Sequence, residues 1–204
     1  MKKILAVLGA CTVMLVISTG CATRKTGARE TVKPGELAKK YNIKMTLTHL
    51  TDEVLIKRFG AKSNPFIAPR SLMGINDFSV FEVVVQNNTQ AGSMEDASIT
   101  VVLKGIRLLY GGRSIAPINQ FKLSDIWDNE GRHAHGREYD ISKMKYTVKR
   151  YVFPNTLKIP TGDTYSGIIV FMGRFPAYGE GSVHIPVMTA DKELIGIFHD
   201  EFEF

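Results

Sequence analysis

The segment Phe78–Gln86 constrains the fold more than any other stretch of the chain. Phe81, Val83 and Val85 fall in one phase of a period-2 pattern, and Val80, Glu82 and Val84 in the other. That alternation is the mark of a β-strand with an apolar face turned to a core. Val80 and Val84 make the second face partly apolar too, so the strand is expected to be covered on both sides. Such a strand needs neighbours for its backbone N–H and C=O groups and a second layer for its apolar face.

Other short segments supply the neighbours. Ile43, Met45 and Leu47 share one face of Ile43–His49. Ile99, Val101 and Leu103 keep odd phase, whereas Ile106, Leu108 and Tyr110 keep even phase. Parity changes only through an inserted residue, so a β-bulge is expected at Lys104-Gly105. Asn87–Gly92 reads as a turn-rich break and Gly111-Gly112 as a hairpin turn, with Ser114–Ile118 returning as a strand. Tyr165–Met172, Val183–Val187 and Leu194–Phe204 close the chain, with Pro186 marking an edge strand and Phe198, Phe202 and Phe204 in one phase.

Helical signals are fewer. Thr51 or Asp52 opens a short helix through Phe59, stopped by Gly60. Ser124-Asp125 caps a helical turn containing Trp127, and polar Asp128–Tyr139, with Gly131 and Gly136, reads as an exposed loop. Residues 140–153 fit two patterns. Ile141, Met144 and Val148 recur at helical spacing behind a possible Asp140 cap, with Pro154 as a stop. Met144, Tyr146 and Val148 alternate as a strand would. The expected class is mainly β, an antiparallel sandwich with one or two short helices. Phe81–Thr89 and Gly162–Phe171 resemble the corresponding strands of immunoglobulin-like domains in exported bacterial lipoproteins. The resemblance implies an immunoglobulin-like sandwich and says nothing of activity.

The amino terminus carries an address. Lys2 and Lys3 precede the apolar run Ile4–Ile17, which falls short of the roughly 20 residues that span a bilayer. Small residues then lead to Gly20-Cys21, the arrangement of an export signal. This ending resembles the lipobox of bacterial lipoproteins, although Ser18 stands where that family commonly carries leucine. The resemblance implies removal of a signal peptide, 1–20, and lipidation of Cys21. Residues 21–41 then form a lipidated tether and 42–204 the β-sandwich domain. In that family Asp after the cysteine signals inner-membrane retention. Ala22 stands there, which implies the outer membrane in an organism with two. Arg24, Lys25, Arg29 and Lys33 against Glu30 give the tether affinity for lipid headgroups.

The chain has 204 residues and formal charge +6, of which Lys2 and Lys3 account for two, leaving +4 after residue 20. That excess, with no nucleic-acid motif, gives no reason to expect a nucleic-acid partner. The two cysteines are Cys11 and Cys21. A lipidated domain therefore has no disulfide, no thiol catalysis and no cysteine-based zinc site.

Three polar constellations remain. His133 and His135 would share a side of an extended segment, and with Glu138 or Asp140 they offer ligands for zinc or copper. The alternative is a solvated loop. Asp125, Asp128 and Glu130 around Trp127 fit either a carbohydrate site or a capped turn with Trp127 as an apolar plug. Arg174, Phe175 and Tyr178 form an aromatic loop that either anchors a partner or caps the core. His49, His184 and His199 read as strand surface residues. There is no Gly-x-Ser-x-Gly elbow, His-Glu-x-x-His helix or phosphate-binding glycine loop. The expectation is a non-enzymatic, cofactor-free, lipid-anchored cell-envelope protein that binds another envelope protein through loops or an uncovered strand edge. Metal binding at His133/His135 and carbohydrate binding around Trp127 are the alternatives.

Overall fold

The computed structural model describes residues 41–72, 75–89, 98–133, 140–175 and 179–203. Among the described residues ten strands and three α-helices run in the order β1 (Ile43–His49), α1 (Asp52–Phe59), β2 (Asp77–Asn87), β3 (Ile99–Val102), β4 (Arg107–Tyr110), β5 (Arg113–Ile115), β6 (Pro117–Ile118), α2 (Gln120–His133), α3 (Ile141–Tyr151), β7 (Thr156–Ile159), β8 (Thr164–Gly173), β9 (Glu180–Thr189) and β10 (Leu194–Glu203). The mainly-β antiparallel sandwich expected from the alternation is the observed architecture.

The first sheet has the order β1-β2-β8-β6. In the second, β9 is central, with β10 along one edge and β3 and β4 in succession along the other. β7 and β5 flank β3 and β4 in turn. Phe81, Val83 and Val85 of β2 and Ile169 and Phe171 of β8 meet Val183, Ile185 and Val187 of β9 between the sheets. A second core lies on the outer face of the first sheet. There Val80, Ile168 and Val170 pack against Leu55, Leu123, Trp127, Met144 and Val148 of the helices. The molecule is therefore three layers deep, and the two-sided burial expected of Phe78–Gln86 is present, with β8 sharing it more completely.

The parity change falls where the alternation placed it, but its device differs. Leu103–Gly105 forms a turn of 3₁₀ helix closed by Ile106 N–H donating to the Leu103 carbonyl at 3.0 Å, rather than a bulge. The ladder with β9 runs Val101↔Val187 and resumes at Arg107↔His184. Pro186 sits opposite this gap, so β9 is central and Pro186 does not mark an edge. The missing N–H faces an interrupted ladder, and Gly105 lies beside the proline ring. Ser114–Ile118 is likewise two strands, for the chain leaves the second sheet at Ile115 and enters the first at Pro117.

The helices correct the sequence reading further. Asp128–Tyr139 is not a loop at its start: α2 continues to His133, with Leu123 and Trp127 buried one turn apart and Glu130 buried beyond them. Residues 141–151 are helical, and Asp140 Oδ1 accepts the Lys143 N–H at 2.9 Å as the cap. α1 ends at Gly60, whose φ of 79° suits glycine and whose N–H reaches the Ile56 carbonyl at 2.8 Å. β7 was not anticipated; its Leu157 and Ile159 alternate, but four residues give a weak period-2 signal.

Asn87 holds the end of β2 to the turn before β8. Its Nδ2 donates to the Ile159 carbonyl at 2.9 Å, its N–H to Asp163 O at 3.0 Å, and its carbonyl accepts from Gly162 N–H at 2.7 Å. Phe171 is fully buried between the sheets, so Phe171→Ala is expected to cost about 3–5 kcal/mol of unfolding free energy. Phe121→Ala, on the open side of α2, is expected to stay within about 0.5 kcal/mol. Urea unfolding of the two variants checks the contrast.

Candidate docking surfaces

The residues singled out by sequence are dispersed. Cys21, His135, Glu138 and Tyr178 lie outside the described residues. His133 closes α2, so the extended segment that would align it with His135 does not exist at that position. Asp140 spends a carboxylate oxygen on the α3 cap. Among the described residues, no group of three or more His, Cys, Asp or Glu is placed to hold a metal ion.

Trp127 is only 2 % exposed, and its indole N–H donates to the Pro65 carbonyl at 2.9 Å. An indole turned into the core offers no face to a sugar ring, so the plug is the observed arrangement and the carbohydrate site around Trp127 is not. Asp125 lies on the exposed side of α2, while Asp128 pairs with Lys145 of α3 at 2.8 Å. The aromatic loop is tied down in part. Arg174 Nε donates to the Ile75 carbonyl at 3.3 Å, and the Phe175 ring packs edge-on to Tyr110 at 6.0 Å.

Two surfaces that the sequence did not reveal are built by the fold. The first is a groove of about 590 Å³ between α2 and α3. Phe121 and Tyr146 line it, 82 % and 63 % exposed, beside Lys145 and Lys149. Two contacts join the helix pair beneath. Gln120 Nε2 donates to the Val152 carbonyl at 2.6 Å, and Gly131 lets Ile141 approach more closely than a Cβ would allow.

The second surface is an open cleft of about 710 Å³ where β4, β9 and β10 end. Glu180, Glu201 and Glu203 line it over a floor that includes Gly181 and Phe202. The Phe202 ring lies over Gly181, where a Cβ would meet it at 2.7 Å. Glu203 stands directly across the ladder from Glu180. Like charges placed opposite each other destabilise a strand pair. Among the described residues β10 pairs only with β9, which makes it an edge strand of the described sheet.

Beside the cleft, His184 and His199 are cross-strand partners with ring centroids 4.6 Å apart. Burial, and then the neighbouring His199, hold the His184 imidazole below the ordinary histidine value of 6.5. Arg107 lies across the ladder on the other side, and Ser182 Oγ sits 3.0 Å from His184 Nε2. His199 Nε2 lies 3.7 Å from Glu201 Oε1. His49, packed on the Phe81 and Phe202 rings, is also held low by burial, with Asp52 opposing. Burial, and then Asp77, push the Asp52 carboxyl up, and burial does the same to Asp200.

A scan against protein-family models finds no match, and a search of curated proteins finds none either. Among solved structures the chain is similar to a FixG-related protein from Vibrio parahaemolyticus. The match has 8 % identity and a TM-score of 0.36, and spans 78 % of this chain and 94 % of that one. That likeness carries no argument about function. Among the described residues, no helix is long and apolar enough to cross a membrane.

The lowered histidines fix a sign. Below their ordinary value the unfolded chain binds protons that folded His49 and His184 refuse, so their contribution to stability falls as pH drops from 7 toward 5. The raised carboxyls act oppositely, as pH falls through their own range above 3.8. His184→Gln is expected to flatten the loss between pH 7 and 5. Urea unfolding of both proteins at the two pH values checks it; an unchanged slope would remove His184 as a source.

Proposed function

We propose that this chain is a lipid-anchored, non-enzymatic cell-envelope protein that acts as a protein-interaction module. Cys21 carries the lipid, the tether holds the domain at the membrane, and the outer membrane is the site where two membranes exist. The partner is another envelope protein that presents a basic segment to the cleft beside β10.

The observation that carries this reading is the opposed pair Glu180 and Glu203 at the cleft, with Glu201 adjacent. A Lys or Arg side chain entering there relieves repulsion that the isolated domain bears. β10, an edge strand of the described sheet, is the strand beside which an added segment would lie, and the cleft reads its side chains. Asp200, in the inward phase of β10 opposite Val183, and Glu201 and Glu203 disfavour pairing between two copies at that edge. The acids thus favour a basic partner over self-association.

In-cell crosslinking tests the whole reading. The lipidated protein is expected to yield a reproducible protein adduct that Cys21→Ser and Glu201→Lys/Glu203→Lys each abolish. An adduct indifferent to the charge reversals removes the cleft as the site. Absence of any protein adduct removes the interaction module. Retention of the Cys21→Ser protein in salt-washed membranes counts against the anchor.

A further inference from the structure

We infer that the face formed by α2 and α3 lies against an anionic lipid surface. Residues 1–40 hold eight of the 26 Lys and Arg and two of the 20 Asp and Glu, so residues 41–204 carry 18 of each and no net charge. This neutral total is unevenly placed. Lys143, Lys145, Lys149 and Arg150 stand on α3, with no acidic residue between Ile141 and Tyr151. The span 180–203 holds six acidic residues against Lys192. The helices cover the outer face of the first sheet, and β9 and β10 belong to the second. The four cations of α3 and the carboxylates around the end of β9 and β10 therefore stand on different layers of the domain, although α2 also carries Asp125, Asp128 and Glu130, and Lys104, Arg107, Arg113 and Lys158 belong to the second sheet and its connections.

The helical layer also carries the exposed rings. Phe121 and Tyr146 stand exposed in the groove between the two helices, which the Gln120 hydrogen bond to Val152 and the Lys145 ion pair with Asp128 join. Asp128 is neutralised by Lys145. Lys149 remains beside the rings, with Lys122 next to Phe121 in sequence and Lys143 one turn of α3 away, against Asp125. Aromatic rings settle at the headgroup level of a bilayer, and lysine stems bury while their ammonium groups reach phosphate. A helical face with rings inside and cations around them fits that boundary. Charge complementarity favours anionic lipid as its occupant. The tether residues Arg24, Lys25, Arg29 and Lys33 add the same sign.

This inference rests on the anchored reading, because a modest basic face gains lasting membrane contact only when a second attachment holds it there. It also assigns the two surfaces separate tasks: the helices face lipid, and the acidic cleft faces away.

Fluorescence quenching by lipids with brominated acyl chains tests it. The full chain is reconstituted in phosphatidylglycerol–phosphatidylethanolamine vesicles with Phe121→Trp, and in parallel with Leu109→Trp on the cleft side. The unsubstituted protein, with buried Trp127, gives the background. Quenching at Phe121→Trp is expected to exceed that at Leu109→Trp at least about threefold, and to be lost in phosphatidylcholine vesicles, at about 0.5 M salt, and on Lys143→Glu/Lys149→Glu. Equal quenching at the two positions, or none, overturns the inference. Quenching that persists in phosphatidylcholine overturns the requirement for anionic lipid. Should Cys21→Ser release the protein from cell membranes while Phe121→Trp stays unquenched in the vesicles, the anchor stands and the lipid-facing surface falls.

Discussion

The structure depends on burying β8 from both sides. Ile169 and Phe171 point between the sheets, and Ile168 and Val170 point beneath the helices. A strand with water on one face would carry two of these four side chains at a large cost in exposed apolar area. The helical layer is therefore part of the hydrophobic architecture. Trp127, Met144 and Val148 close over β8, and Trp127 joins the helical layer to the loop at Pro65 through a buried hydrogen bond. With no disulfide among the described strands and helices, packing and backbone ladders hold the three layers together.

Layering also separates the surfaces. Because the second core needs only the inner stripes of α2 and α3, their outer stripes are free to hold Phe121, Tyr146 and lysines. Because β10 lies at the edge of the described sheet, the carboxylates at its end meet no neighbouring strand on one side among the described residues. The arrangement places a cluster of cations and exposed rings on α2 and α3 and a cluster of carboxylates at the end of β9 and β10.

Much of the fold was legible in the sequence because half-buried strands write their burial every second residue. The alternation of β1, β2, β9 and β10, the phase change before Ile106, and the Asp140 cap all came from such local signals. The elements that escaped have local signals that mislead. Residues 128–133 are polar because they form the exposed side and last turn of a helix, and Gly131 is there to admit Ile141 rather than to break the chain. Pro186 lies in a central strand because a gap in the neighbouring ladder receives it. The candidate surfaces were less legible. Phe121 and Tyr146 are 25 residues apart in number, and Glu180 and Glu203 meet only through the β9–β10 register. The proposed anchor, by contrast, is read from consecutive residues, Lys2 to Cys21.

The junction at which the chain enters the domain has a mechanical consequence. Asn42 adopts φ 54°, a left-handed turn that asparagine tolerates better than most residues. Its Nδ2 donates to Asn88 O at 2.9 Å, Asn88 N–H donates back to Asn42 O at 3.1 Å, and Thr89 Oγ1 reaches the Tyr41 carbonyl at 2.9 Å. A pull arriving through residue 41 is thus shared at once between β1 and the end of β2. It does not peel β1 away one rung at a time. These bonds fix the direction in which β1 starts, and a load at residue 41 reaches β1 and β2 through them together.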